Sequence, residues 1–173
     1  MHELHHAYED GKKQSKGLEG IRDRIMRVGY SKALRNYNNK SELISKLSKA
    51  FVRLQGFEVN AYISSLRGQV MDFEYGFDSP KEIYEFVTNS WVYKNYVEVS
   101  NFISELENTE SKQIQGLVMM YANALVNLDF YSFDKLVRYL RQRCDYAFKK
   151  LDTFARKVSY DYFQDEEKYN IDL

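Results

Sequence analysis

The feature of this sequence that most constrains its fold is the return of apolar residues at every third or fourth position. The longest such pattern runs from Phe133 to Val158 without a glycine or a proline. Apolar residues at this spacing share one face of an α-helix, whereas those of a half-buried strand alternate. Shorter patterns of the same kind recur along the chain, and short loops between helices favour antiparallel neighbours. We therefore predict an all-α protein: an antiparallel helical bundle of six or seven helices with a long C-terminal helix ending near Tyr162.

Turn-forming residues are scarce, which supports the same fold class. The 173 residues include 1 Pro and 8 Gly, whereas a sandwich or barrel needs a turn roughly every 8–12 residues. The length suits a single domain. We predict a flexible polar N-terminal arm at 1–16, a single helical domain at 17–163 and an acidic tail at 164–173.

Capping patterns predict several helix boundaries. Ser79 can cap a helix whose first residue is Pro80, a position where the missing N–H costs no hydrogen bond. Ser132 is the expected cap of the long C-terminal helix. Asn39 is expected to begin an earlier helix, and Gly56 is expected to end it.

Residues suited to catalysis are few. All three histidines lie within residues 2–6, where His2, Glu3 and His6 have the H-E-x-x-H spacing of zinc hydrolases. Such a site needs a third protein ligand and a rigid helix, and no later histidine supplies the ligand. The only cysteine, Cys144, falls on the apolar face of the C-terminal helix, as expected of a core residue. We therefore predict no enzymatic activity, no metal and no cofactor.

The sequence also lacks targeting signals. The first 16 residues have no apolar run of the kind found in a signal peptide. No stretch approaches the roughly 18 apolar residues of a membrane span. With one cysteine, no intramolecular disulfide can form. We expect a cytoplasmic protein without a membrane partner.

Positive charge is concentrated in two parts of the chain. The formal net charge is zero, but residues 1–57 and 111–163 are basic whereas residues 58–110 are acidic. Basic side chains at helical spacing, with tyrosines nearby, are typical of proteins that bind nucleic-acid backbones without sequence preference. A solvated helix face is the alternative interpretation. The candidate nucleic-acid-binding residues are Arg22, Arg27, Lys46, Lys49, Arg53, Arg138, Arg141, Lys149, Arg156 and Lys157.

Aromatic residues suggest a protein partner. The chain has 15 Tyr and 11 Phe, and exposed aromatic side chains are enriched at protein–protein interfaces. Trp91, Val92, Tyr93 and Tyr96 are the candidate interface, because four residues so close in sequence are not expected to face one core. Our first hypothesis is a non-catalytic helical interaction protein, such as an adaptor, an inhibitor or a structural subunit. It would dock an aromatic-rich face on a protein partner or form a homo-oligomer.

Two segments resemble a known family. Residues 109–118 (TESKQIQGLV) and residues 133–140 (FDKLVRYL) are similar to segments of the small helical subunit of type III CRISPR effector complexes. Gln115 stands where that family's motif has an arginine, and the Gly-Arg that follows its second segment is absent. The resemblance implies a small helical subunit that contacts a nucleic-acid backbone within a nucleoprotein complex. Our second hypothesis is therefore a sequence-tolerant nucleic-acid backbone binder.

Overall fold

A computed structural model of the chain describes residues 30–73, 76–126 and 130–169. Within these ranges all regular structure is helical, which confirms the predicted all-α class. Residues 30–35 are helical, and they are followed by α1 (Glu42–Arg53), α2 (Gly56–Met71), α3 (Pro80–Asn89), α4 (Trp91–Glu107), α5 (Lys112–Val126) and α6 (Phe133–Tyr169). The predicted arm at 1–16 lies outside the described residues.

Serine hydroxyls cap the starts of α3, α4, α5 and α6. The Ser79 hydroxyl accepts a hydrogen bond from the Glu82 N–H at 3.3 Å, immediately before Pro80, as predicted. The Ser132 hydroxyl accepts one from the Lys135 N–H at 3.3 Å, which confirms the predicted cap of α6. Each bond satisfies a backbone N–H that has no partner within its own helix.

Ser90 ends one helix and begins another. Its hydroxyl donates to the Val87 carbonyl of α3 at 2.6 Å and accepts from the Tyr93 N–H of α4 at 3.2 Å. Its backbone is extended. The two helices therefore meet at a single residue, with no loop between them.

Three boundaries differ from the predictions. Gly56 begins α2 instead of ending α1, because the extended Gln55 already separates the two helices. The cap residue of α1 is Ser41, not Asn39. The last helix continues to Tyr169, past the predicted end at Tyr162, since the acidic residues that follow include no glycine or proline to stop it.

The long helix α6 lies at the centre of the packing. It contacts α2, α3, α4 and α5. Its buried stripe follows the predicted three- and four-residue spacing and consists of Leu136, Leu140, Cys144, Ala147, Leu151, Ala155 and Val158. Each buried leucine contributes roughly 1.5–3 kcal/mol to folding by leaving water. Burial of this stripe against the neighbouring helices therefore stabilises the position of α6 in the fold.

Specific contacts show how α6 meets its neighbours. Against α4, the rings of Tyr93 and Phe148 lie 5.4 Å apart, and Arg141 contacts Glu107, so residue numbers run in opposite directions. Against α2, Lys150 contacts Asn60 and Arg67 contacts Asp161, so residue numbers run in the same direction. The antiparallel bundle as a whole stays a prediction.

A cationic side chain supports the end of α1. The Arg143 guanidinium of α6 donates two hydrogen bonds, of 2.8 and 3.2 Å, to the carbonyl of Leu54, the residue that ends α1. A positive charge at this end of a helix is favourable, because unpaired carbonyls make it electronegative. Arg143 therefore ties α6 to the corner between α1 and α2.

Candidate functional site

Five basic side chains lie on the exposed face of α6, opposite its buried stripe. We call this set the basic face; it consists of Lys135, Arg138, Lys149, Arg156 and Lys157. At about 100° per residue, these positions share one side of the helix, and Asp145 and Asp152 fall together along one edge of it. Four of the five were predicted from the sequence, and Lys135 is the addition. Asp134 lies along the edge of Asp145 and Asp152, and Asp161 lies along the opposite edge, so aspartates border the cations on both sides of this face.

Four of these five cations form no ion pair with a carboxylate among the described residues. Arg156 is paired with Asp152 at 2.9 Å, one turn earlier on the same helix. Hydrogen bonding from Arg156 lowers the pKa of the Asp152 carboxyl. In the part of the chain that the structure describes, no carboxylate lies within ion-pair distance of the other four cations. Four of the five cations of the basic face therefore make no direct ion pair within the described ranges.

Tyrosines accompany the basic face. Tyr146 and Tyr160 lie on the same side of α6, and Tyr160 is 64% exposed. Lys150 Nζ and the Arg143 guanidinium lie 5.4 and 5.5 Å from the centre of the Tyr146 ring, within the range of cation–π attraction. Aromatic rings beside cations are suited to stacking on nucleic-acid bases.

Arg53 is directed into the protein, although it was predicted to bind nucleic acid. Only 7% of the residue is exposed. Its guanidinium donates to the Tyr37 hydroxyl at 3.0 Å, to the Asn95 carbonyl at 3.3 Å and to the Glu98 carboxylate at 3.2 Å. These groups lie before α1 and on α4. Arg53 therefore joins helices and is not available to a ligand.

Arg141 is also engaged within the fold. Its guanidinium forms two hydrogen bonds to the Glu107 carboxylate, at 2.9 and 2.7 Å, and reaches the hydroxyls of Ser100 and Ser104 at 3.0 and 2.9 Å. Hydrogen bonding to Arg141 lowers the pKa of Glu107. Because these partners occupy the guanidinium, Arg141 links α6 to α4 and does not belong to the basic face.

The remaining predicted cations lie away from α6. Lys46 Nζ contacts Glu42 and Glu105, each at 3.1 Å, and Lys49 Nζ lies 5.5 Å from the Tyr37 ring centre. Arg22 and Arg27 are outside the described residues. The structure therefore brings together the predicted cations of the C-terminal helix, whereas Lys46 and Lys49 lie on α1 and contact other groups there.

The predicted aromatic interface requires correction. Val92 and Tyr96 are fully buried, because α4 turns both of them towards the core. The Tyr96 hydroxyl donates to the Arg53 carbonyl at 3.0 Å, and burial raises the pKa of Tyr96. Tyr93 packs against Phe148. Trp91 is 52% exposed, with its ring against Tyr62. Val92 and Tyr96 therefore belong to the core and Tyr93 to its edge, which leaves Trp91 as the exposed member of the predicted interface.

An exposed apolar surface occurs instead on α5. Ile114, Leu117 and Met120 are 38%, 40% and 57% exposed. The signal that could have revealed it is charge: from Gln113 to Val126 there is no Asp, Glu, Lys or Arg. Helical periodicity alone does not tell whether a neighbouring helix covers an apolar side.

The described residues offer little catalytic chemistry. Cys144 is buried, which raises the pKa of its thiol to about 11 and confirms its predicted place in the core. Among these residues, no cluster of three His, Cys, Asp or Glu side chains could hold a metal. The motif of His2, Glu3 and His6 lies outside them.

A cavity of 310 Å³ between α4 and the start of α6 is lined by Glu107, Phe133, Asp134, Val137, Arg138, Arg141 and Gln142. Its two central charged groups, Glu107 and Arg141, already bind each other. The cavity wall contains neither a cysteine, a serine nor a histidine to act as a nucleophile or a base.

No helix in the described ranges has both the length and the apolarity needed to cross a membrane. Compared with known proteins, the chain matches no family model, no curated protein and no solved structure.

Proposed function

We propose that this chain is a non-catalytic helical interaction protein that binds the backbone of single-stranded nucleic acid along α6, without sequence preference. The observation that carries the proposal is the basic face, where four of five exposed cations have no carboxylate partner among the described residues. Of the two functions expected from the sequence, protein docking loses two of its four candidate residues to the core. Nucleic-acid binding loses Arg53 and Arg141 to contacts within the fold. It keeps four predicted cations of α6, which are Arg138, Lys149, Arg156 and Lys157.

The dimensions of the basic face suit a strand of phosphates. From Lys135 to Lys157 the helix rises about 33 Å, at 1.5 Å per residue. A stacked strand carries one phosphate per roughly 3.4 Å, so this length corresponds to on the order of ten nucleotides. Five cations along it would contact about half of those phosphates and release their counterions.

The tyrosines favour a single strand over a duplex. Tyr146 and Tyr160 are exposed beside the cations, and stacking on aromatic rings requires bases that are not paired. Base–aromatic stacking contributes about 1–3 kcal/mol per base and tolerates any sequence. We therefore propose that phosphates contact the basic face while one or two bases stack on these rings.

Salt dependence tests the proposal. We expect an unstructured single-stranded RNA or DNA of about 20 nucleotides to bind with log K falling linearly against log salt, with a slope of about −3.5 for five contacts. Changing Lys149→Ala and Lys157→Ala together should reduce the slope to about −2.1 and weaken binding roughly 25-fold at 0.1 M salt. Fluorescence anisotropy across a salt series measures both quantities.

A matched control removes the same charge elsewhere. Lys40 and Lys94 are exposed and lie outside α6, so Lys40→Ala with Lys94→Ala should leave the affinity within about twofold, since neither lysine belongs to the basic face. Absence of binding at low salt, or equal losses for the two double variants, would overturn the proposal. A duplex that binds more tightly than a single strand would remove the stacking part of it.

The remaining expectations from the sequence fit this proposal. A cytoplasmic location would bring the protein together with RNA or DNA. An antiparallel bundle would hold α6 with one side outward along its whole length. A protein partner or a homo-oligomer is also part of the proposal, and the uncharged surface of α5 is the observation that favours it.

A further inference from the structure

The exposed side of α5 is unusual for a surface helix because it has no charged residue between Gln113 and Val126. Surface helices ordinarily expose charged or polar side chains. Here the outward residues include Ile114, Leu117 and Met120, while α1 and α6 pack against the inward side. An apolar surface of this kind is typical of an interface with another protein.

Three positions along this surface are symmetric in side-chain size about Met120. Met120 is the most exposed of the three apolar residues, at 57%. Gly116 and Ala124, both exposed, lie four residues before and after it, which is about one helical turn in each direction. A Cβ atom added at Gly116 would meet nothing within 4 Å. A long side chain therefore lies between two shallow positions.

This order is complementary to itself. If a second α5 lies antiparallel to the first with the two Met120 side chains at the twofold axis, Gly116 of each copy lies opposite Ala124 of the other. Small residues at such positions allow two helices to approach closely. A twofold interface requires the same surface to complement itself, which an uncharged surface can do without repulsion between like charges.

Charges at the two ends of the surface fit the same arrangement. Glu110 precedes α5, and Lys112 at that end is directed to the Gln115 side-chain oxygen at 3.3 Å. At the other end, Lys32 Nζ lies 3.4 Å from the Ala124 carbonyl. Antiparallel pairing would bring Glu110 of each copy towards Lys32 of the other.

We propose that α5 is a homodimer contact, in which two copies of this chain pair their α5 helices antiparallel about Met120. One helix packed on one helix covers well under the roughly 800 Å² per partner that stable complexes bury. The dimer is therefore weak, with a Kd in the micromolar range or above. This contact is independent of the basic face on α6.

Sedimentation equilibrium of the full chain, from about 1 to 500 µM, tests the contact. We expect reversible dimerisation that Met120→Glu weakens at least tenfold, because the carboxylate would be buried against its own copy. Val97→Glu is the matched control: Val97 is exposed on α4, so this change should leave the Kd within about twofold, as expected for a surface position.

A second variant separates specific packing from general stickiness. Gly116→Leu should weaken dimerisation at least tenfold because it fills the shallow position, whereas non-specific apolar association would become stronger. The same change should leave the monomer folded, since Gly116 is exposed and a Cβ atom added there meets nothing within 4 Å. A chain that stays monomeric throughout the concentration range, or a dimer unaffected by Met120→Glu, would overturn the proposal. So would tighter association of Gly116→Leu.

Discussion

Two arginines on α6, one turn apart, have different surroundings. Arg138 is exposed and has no carboxylate partner among the described residues, whereas Arg141 is held by Glu107 and two serines of α4. Their spacing of three residues places both on a similar side of the helix, so the sequence predicted one role for both. Only the position of α4 separates the exposed arginine from the one that is held within the fold. No local pattern in the sequence specifies that position.

Replacing these arginines in turn should give opposite results. Arg141→Met should lower the free energy of unfolding by about 1–2 kcal/mol, since it removes hydrogen bonds to a half-exposed carboxylate and two hydroxyls. Arg138→Met should change it by less than about 0.5 kcal/mol but weaken nucleic-acid binding. Urea unfolding and anisotropy measure the two effects. Equal destabilisation by the two substitutions would contradict the structural assignment of Arg141.

At the scale of the helix, periodicity and caps were sufficient for most of the fold. The buried stripe of α6 and the caps at Ser79 and Ser132 follow from residue spacing alone. The exposure of one side of α5 does not follow from residue spacing. An apolar helix side has the same sequence pattern whether the element that covers it belongs to the same chain or to another. Gly56 was misassigned for a related reason: a glycine can lie at either end of a helix.

The caps differ in strength in a way that can be measured. Ser79→Ala should destabilise the protein by about 1 kcal/mol, because the Glu82 N–H loses its side-chain acceptor and keeps only the Ser79 carbonyl at 3.1 Å. Ser41→Ala is the matched control, since the Ser41 side chain makes no capping hydrogen bond to α1; its effect should be within about 0.5 kcal/mol. Thermal unfolding of both variants checks the difference. An equal loss at the two positions would mean that the Ser79 bond contributes nothing.

For the whole molecule, a net charge of zero conceals two surfaces of different character. The basic face lies on α6, and the uncharged surface lies on α5, the preceding helix. Blocks of charge along the sequence predicted the first surface. The second surface could not be predicted in that way. A helix side without charge indicates an unusual surface only when the structure shows that this side is exposed.

Acid should destabilise the fold through its paired carboxylates. The pKa values of Glu107 and Asp152 are lowered by hydrogen bonds from Arg141 and Arg156. A lowered pKa stabilises the folded state above the unfolded-state pKa, near 4, and this contribution is lost as pH falls through the folded-state value. We expect the free energy of unfolding to decrease below about pH 5, and Glu107→Gln to make that decrease shallower. Urea unfolding between about pH 3 and 7 measures it; an unchanged pH dependence in the variant would contradict the assignment.

The corner at Ser90 has a mechanical consequence. Because Ser90 both ends α3 and begins α4, its backbone torsions and the two hydrogen bonds of its hydroxyl set the angle between these helices. Arg141 in turn joins α4 to the helix that carries the basic face. A rotation of α3 relative to α4 would therefore strain the bonds of that one hydroxyl.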